Sequence, residues 1–243
     1  MRQALLFAVD RDAIARQIYG GKVALAHTSV NHLQWMAVTD ARTYPFDPKA
    51  AKRLLDEAGW SKIEGGIRHN AAGERLTFTV ASVAGIKTNE LIASVLAAQW
   101  RQVGVDARIR GQPARVFFGD TLQRRKFDGL AFFGWIVSPE SVPRTILHST
   151  MIPSPANGFQ GQNFTGYANP EMDTLLDAIE RELDREKRRA LWRRYQEIYA
   201  VDLPALPMFF GTAGFVMPHW LGGIRPTGHS ATTTLWVEEW TAR

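Results

Sequence analysis

The segment from Leu76 to Trp135 alternates strand and helix patterns, and this alternation constrains the fold more than any other feature of the sequence. Apolar residues alternate with polar ones in the predicted strand at 75–82, line one side of the predicted helix at 89–103 and form a run that ends at Trp135. The predicted order is strand, helix, strand, helix and strand, at residues 75–82, 89–103, 105–111, 113–125 and 127–135. Such a βαβαβ order requires a largely parallel sheet, so the sequence predicts an α/β fold.

Helical patterns lie on both sides of this unit. Arg2–Tyr19 is predicted as one helix that ends at Gly20, and its inward residues are Ala4, Leu5, Ala8, Ile14 and Ile18. Asp47 and Pro48 open a second helix as N-cap and first-turn residue. Residues 170–201 are predicted as two consecutive helices, and the residues after them as short strands interrupted by glycine and proline.

Composition excludes several classes of protein. The 243 residues are 45% hydrophobic and 22% charged, which is enough to bury a sizeable core as one large domain or two small ones. No apolar run approaches the roughly 20 residues that span a bilayer. The N-terminus has no small-residue cleavage site, so we expect no secretory signal in this chain. The absence of cysteine excludes disulfides, thiolate metal sites and cysteine nucleophiles.

No catalytic, metal-binding or nucleotide-binding signature is present, and the sequence predicts no cofactor and no catalysis. His27 and His32 share one irregular segment, but two histidines without a third ligand are more typical of a loop. Lys87 precedes a predicted helix N-terminus that could attract an anion, although ordinary capping is the favoured interpretation.

Basic residues cluster only between Arg181 and Tyr199. Read as a helix capped by Asp184, this segment places acidic side chains among the basic ones and apolar side chains on the opposite stripe. A mixed surface of this kind favours a solvated helix face over binding of nucleic acid.

Two blocks of sequence resemble the family 5 extracellular solute-binding proteins of ABC importers. These are RQALLFAVDRDAIARQIYGG at residues 2–21 and YPFDPKAAKRLLDEAGW at residues 44–60. Further blocks follow in the order of that family: residues 97–109, 127–135, 166–179, 188–210 and 236–240. The resemblance therefore extends over nearly the whole chain.

The resemblance implies a periplasmic-binding-protein-like fold of the large two-lobe class, with one lobe built on a mixed, partly parallel sheet flanked by helices. It implies the substrate-capturing component of an importer, which binds a small solute between two lobes and delivers it to the ABC permease subunits in the membrane. The solute classes of the family are peptides, opines, sugars and metal chelates. The full-length protein is then expected in the periplasm or at the cell surface as a lipoprotein. An α/β enzyme or regulator that adopted this fold is the alternative.

The resemblance also implies a division of the chain. Residues 1–213 correspond to the C-terminal ligand-binding lobe, and residues 214–243 to a tail that returns to an N-terminal lobe, which we expect to be missing here. The tail is rich in apolar residues. We therefore expect it to fold back on the lobe, or to pair with a second copy as a dimer.

The candidate binding residues follow from the strand that ends at Trp135. The resemblance implies that this strand reaches the cleft, so Trp135 is expected to face the ligand with Phe132 or Phe133 packed behind it. A plain core position for Trp135 is the alternative. Peptide-binding members carry an aspartate, which holds the peptide amino terminus, where this sequence has Ser138. This departure argues against a free peptide amino terminus. Glu140 could substitute for the aspartate, although an exposed loop carboxylate is the favoured interpretation.

Overall fold

The computed structural model describes residues 1–136, 138, 140–212, 214–225 and 233–242. Its α-helices are α1 (Arg2–Phe7), α2 (Arg11–Tyr19), α3 (Pro48–Glu57), α4 (Lys87–Gln102), α5 (Ala114–Val116), α6 (Arg144–Leu147), α7 (Pro170–Arg181) and α8 (Arg185–Asp202). A π-helix, Phe117–Leu122, continues α5, and 3₁₀ turns lie at Ser149–Met151, Pro155–Asn157 and Thr233–Glu239. The strands are β1 (Ala24–Leu25), β2 (Lys62–Glu64), β3 (Ile67–His69), β4 (Thr77–Val83), β5 (Asp106–Gln112), β6 (Gly129–Phe132), β7 (Phe209–Phe210), β8 (Leu221–Gly222) and β9 (Thr241–Ala242).

The central sheet has the order β5-β4-β6, and all three strands are parallel. This confirms the predicted α/β architecture. The last strand is shorter than predicted. It ends at Phe132, which pairs with Ser82 near the carboxyl end of β4, and β4 itself ends one residue later. Beyond Phe132 the neighbouring strand therefore offers almost no backbone to pair with, and the chain leaves the sheet.

The two faces of the sheet are buried against different helices. Val80 packs with Ile92, Leu96 and Trp100 of α4, in a cluster that also includes residues of α1 and α3. The opposite face is covered by the π-helix, and its buried residues are Ala81, Val83, Phe117 and Leu122. Alternate residues of β4 thus serve opposite cores, as the period of a strand requires.

A third core joins α7 and α8. Met172 and Leu176 of α7 pack against Trp192 and Tyr195 of α8, and all four are almost fully buried. Asp184 caps α8 by accepting from the backbone N–H groups of Glu186 and Lys187, as predicted. The predicted pair of helices over residues 170–201 is therefore confirmed.

The predicted single helix from Arg2 to Tyr19 is wrong, because it is two helices. Asp10 stands between them and accepts a hydrogen bond from the backbone N–H of Ala13 at 2.8 Å, which starts α2 afresh. The break allows Arg11 to point inward, where it is 3% exposed. Gly20 ends α2 in the left-handed conformation, as predicted. The apolar side predicted for the helix at residues 89–103 includes Leu91, and this part of the prediction is wrong because Leu91 is 52% exposed.

Within the described residues, the tail contributes no side chain to the hydrophobic clusters of the lobe, and the expected fold-back or dimer stays a prediction. Its strands β8 and β9 pair antiparallel with each other, and Arg225 forms an ion pair with Glu239 at 2.6 Å. The apolar side chains of Phe215, Val216 and Trp220 are exposed. A hairpin this small has no interior of its own in which to bury them. Within the described ranges, no helix is both long enough and apolar enough to cross a membrane.

Candidate functional site

Four aromatic side chains form a continuous wall at the carboxyl end of the central sheet. Their ring centroids lie 5.9 Å apart for Phe118 and Phe133, 5.5 Å for Phe133 and Trp135, and 6.0 Å for Trp135 and Phe164. Phe133 is half-buried between its neighbours, whereas Trp135 is 39% exposed and Phe118 45% exposed. Aromatic pairs in tilted or edge contacts stabilise one another by roughly 0.5 to 1.5 kcal/mol beyond their buried area. The wall of Phe118, Phe133, Trp135 and Phe164 therefore presents fixed apolar surface to solvent.

Trp135 also lines a cavity of about 270 Å³ beside this wall. None of the lining residues is charged: they are Trp135, Ile136, Ser138, Ser141, Val142, Pro143, Thr145, Ile146 and Gln162. The cavity lies beyond the carboxyl ends of parallel strands, which is where ligands bind in α/β sheets. The structure thus places Trp135 beside Phe133 and in the same cavity lining as Ser138.

Glu140 is not a free carboxylate in this loop. Its Oε1 accepts a hydrogen bond from the indole N–H of Trp35 at 2.8 Å, and Arg188 of α8 lies 3.8 Å from its Oε2. Its backbone φ of +59° is in the left-handed region, which a residue other than glycine adopts only at a cost. Glu140 therefore anchors the exposed loop to α8, and its contacts favour the interpretation as a loop carboxylate over the ligand-binding alternative.

Lys87 does not line the cavity beside Trp135. Its ammonium lies 3.5 Å from Glu90, and the Glu90 carboxylate accepts the backbone N–H of Gly85 at 2.8 Å. The Gly85 N–H and the positive charge of Lys87 lower the pKa of Glu90. The carboxylate of Glu90 therefore already occupies the position before α4 that could attract an anion.

A second cavity of similar volume lies beside α2. The Arg11 guanidinium donates there to the carbonyls of Ala26, Pro207 and Tyr44, at 2.5, 2.8 and 3.1 Å. His27 lines the cavity, and its Nδ1 has no partner among the described residues. Burial and the positive charge of Arg11 lower the pKa of His27.

His32 lies apart from this cavity, stacked on Phe210 with the ring centroids 5.9 Å apart. The described residues contain no group of three side chains placed to hold a metal ion.

Sequence reasoning missed several residues of the site. Phe118 and Phe164 were not singled out, and neither were Thr145 and Gln162 in the cavity lining. These residues belong to three separate segments that meet only in the folded chain. Only the closely spaced phenylalanines at 117 and 118 offered a local signal.

The chain matches a known family model. The model described as bacterial extracellular solute-binding proteins, family 5 Middle, matches residues 1–154. Protein XP55 of Streptomyces lividans is 34% identical over 205 residues, which are 83% of this chain and 35% of that protein. The oligopeptide-binding protein AppA of Bacillus subtilis is 26% identical over 250 residues, which are 99% of this chain and 43% of that protein.

Solved structures agree with the sequence match. The structure of Bacillus subtilis AppA in complex with a nonapeptide superposes with a TM-score of 0.85 at 25% identity, over 100% of this chain and 47% of that one. The oligopeptide-binding protein of Thermus thermophilus complexed with a pentapeptide gives 0.80 at 30% identity, over 86% of this chain and 37% of that one. The chain thus spans a third to a half of the length of these relatives.

Proposed function

Because this chain belongs to the bacterial extracellular solute-binding proteins of family 5, we propose that it supplies one wall of the solute-binding cleft in the receptor of an ABC importer. The receptor captures a small solute outside the cytoplasmic membrane and delivers it to the permease subunits, without chemistry of its own. The observation that carries the proposal is the half-exposed Trp135 in a rigid aromatic wall beside an open cavity. Large fixed aromatic surface next to a few polar groups is typical of small-molecule sites.

Each candidate residue has a defined place in this proposal. Trp135 is the wall that contacts the solute, Phe133 supports it from behind, and Ser138 contributes a hydroxyl at the mouth of the cavity. Glu140 acts on the loop and not on the solute, since Trp35 and Arg188 occupy its two oxygens.

In this proposal, the other wall of the cleft is formed by the part of the relatives' sequence that lies outside the match to this chain. The tail, residues 214–243, then belongs against that second lobe, which accounts for its exposed apolar side chains. A cleft with one wall leaves the solute half solvated. The chain alone is therefore expected to bind with a millimolar dissociation constant and to give no micromolar calorimetric signal.

The test is ¹⁹F NMR of the chain labelled with 5-fluorotryptophan, with the Trp135 resonance assigned by Trp135→Phe. Peptides, opines, sugars and metal chelates are titrated to tens of millimolar. At least one class is expected to shift the Trp135 resonance saturably, while the resonance of Trp220, an exposed tail tryptophan, stays in place. A panel that leaves Trp135 unmoved throughout would contradict the proposed function.

A further inference from the structure

We propose that the solute presented to this wall is an uncharged, ring-bearing polyhydroxy compound of the carbohydrate class. The proposal rests on the proposed function and names the substrate of the same site. Three features of the described residues carry it: the charge balance of the cavity, its unused hydrogen-bonding groups and the shape of its apolar surface.

The cavity holds no charge that could pair with an ionised ligand. All nine lining residues are neutral, and so are Val137 and Pro139 in the same loop by sequence. An ammonium or carboxylate buried here without a partner would cost several kcal/mol, because the group loses its hydration and gains no counter-charge. A neutral ligand avoids that cost.

Two charged side chains in or next to this loop, Glu140 and Arg144, already contact other residues of the chain. The guanidinium of Arg144 forms ion pairs with Asp177 and Glu180. Glu140 is held by Trp35 and Arg188 on the α8 side of the loop. Each of these charged groups contacts another side chain of the lobe, and neither Glu140 nor Arg144 lines the cavity.

The lining instead offers side-chain hydroxyl and amide groups without a protein partner. Within the described residues, no hydrogen bond is formed by the side chains of Ser138, Ser141, Thr145 or Gln162, and all four are exposed. The backbone N–H of Gln162 donates to the carbonyl of Thr145 at 3.0 Å, which fixes two of these residues side by side. A hydroxyl both donates and accepts, so such a cluster matches a ligand that carries many hydroxyls.

The aromatic wall supplies the complementary apolar surface. The exposed side chains of Trp135 and Phe118 flank the half-buried Phe133, so the wall is a continuous aromatic surface. An extended peptide is commonly read by a strand edge that pairs with its main chain. Here the edge strand β6 ends at Phe132, before the cavity lining begins at Trp135. Ring faces stacked on the wall fit this surface better than a paired peptide strand.

The experiment uses the ¹⁹F-labelled chain and three probes: maltohexaose, zwitterionic tetra-alanine, and tetra-alanine acetylated at its amino terminus and amidated at its carboxyl terminus. We expect maltohexaose to shift the Trp135 resonance saturably, with a dissociation constant at least fivefold below that of either peptide. Thr145→Val is expected to weaken maltohexaose binding about threefold to tenfold, the effect of one lost hydrogen bond. Thr88→Val, on the exposed first turn of α4, is the matched control and should leave the affinity for maltohexaose unchanged.

The outcomes separate the solute class from the function. Tighter binding of zwitterionic tetra-alanine overturns the inference that the ligand is uncharged, and the importer function stands. Tighter binding of the blocked peptide overturns the carbohydrate class in the same way. No shift by maltohexaose, together with a shift by another member of the panel, also overturns the class. If no compound shifts the Trp135 resonance, both the carbohydrate class and the proposed function are contradicted.

Discussion

Replacing Trp135 by alanine tests the site most directly, because the structure sets the size of the effect. Trp135 is 39% exposed, which for a side chain of about 250 Å² leaves roughly 100 Å² that a solute can cover. At about 25 cal/mol per Å² this area is worth about 2.5 kcal/mol of binding free energy. Trp135→Ala is therefore expected to weaken binding of the tightest solute in the panel by between ten- and a hundredfold, a range of about 1.5 to 3 kcal/mol.

The same substitution is expected to lower the stability of the lobe. The buried part of Trp135, about 150 Å², packs on Phe133 and Phe164 and is worth at most about 3.8 kcal/mol, less the contribution of the area already covered in the unfolded chain. Trp135→Phe keeps part of this packing and serves as the folded control, with affinity followed by ligand-observed NMR and stability by urea unfolding. Unchanged affinity with lost stability would show that Trp135 is only a core residue, and would refute the area argument.

Four further predictions concern other parts of the chain. Arg11→Met removes the hydrogen bonds to three buried carbonyls and should lower the free energy of unfolding, measured in urea titrations, by at least about 3 kcal/mol. Arg16→Met, on the exposed side of the same helix, should change the free energy of unfolding little. Equal losses in the two variants would contradict a stabilising role of the Arg11 hydrogen bonds. The lowered pKa of His27 means that the unfolded chain binds this proton first, so stability is full above pH 6.5 and falls as the pH drops below it. Between pH 7.5 and 5.5 the free energy of unfolding of His27→Gln should fall less than that of the wild type. Equal falls in the two proteins would show that His27 is not the source of the pH dependence. Ser138→Asp should weaken maltohexaose binding at least about tenfold by placing an unpaired charge at the cavity, and undiminished binding would count against a neutral site. Deleting residues 214–243 should abolish any concentration-dependent dimer seen by light scattering, and a chain that is monomeric with and without them leaves the tail no role in self-association.

The parallel sheet and its helices were predictable because their signals are local. Periodicity placed β4, α4 and β5 in the right order, and Asp47 and Asp184 marked helix starts that the structure confirms. The break before α2 was not predicted, although Asp10 carried the signal of an N-cap. The reason for the break is the buried Arg11, which follows Asp10. The carbonyls that Arg11 binds come from three other segments of the chain, so this role is visible only in the folded structure.

The candidate site was predictable only along one strand. Trp135, Phe133 and Ser138 follow one another in sequence, so the end of that strand located them together. Phe164 and Gln162 arrive from a later irregular segment, whose path depends on the packing of α6 and α7. No periodicity describes such a segment, and neither the wall nor the cavity could be completed from the sequence.

Glu140 connects the geometry of the loop to the charge of the cavity. The sequence places this carboxylate two residues after Ser138, close enough to serve a ligand if the loop were free to turn it inward. The left-handed backbone at Glu140 and its contacts with Trp35 and Arg188 turn it toward α8 instead. One contact set therefore has two effects: it fixes the loop that carries Ser138, and it removes the only acidic group of that loop from the cavity. The neutrality of the cavity is thus a consequence of how the loop is anchored, and a variant that releases Glu140 changes both together.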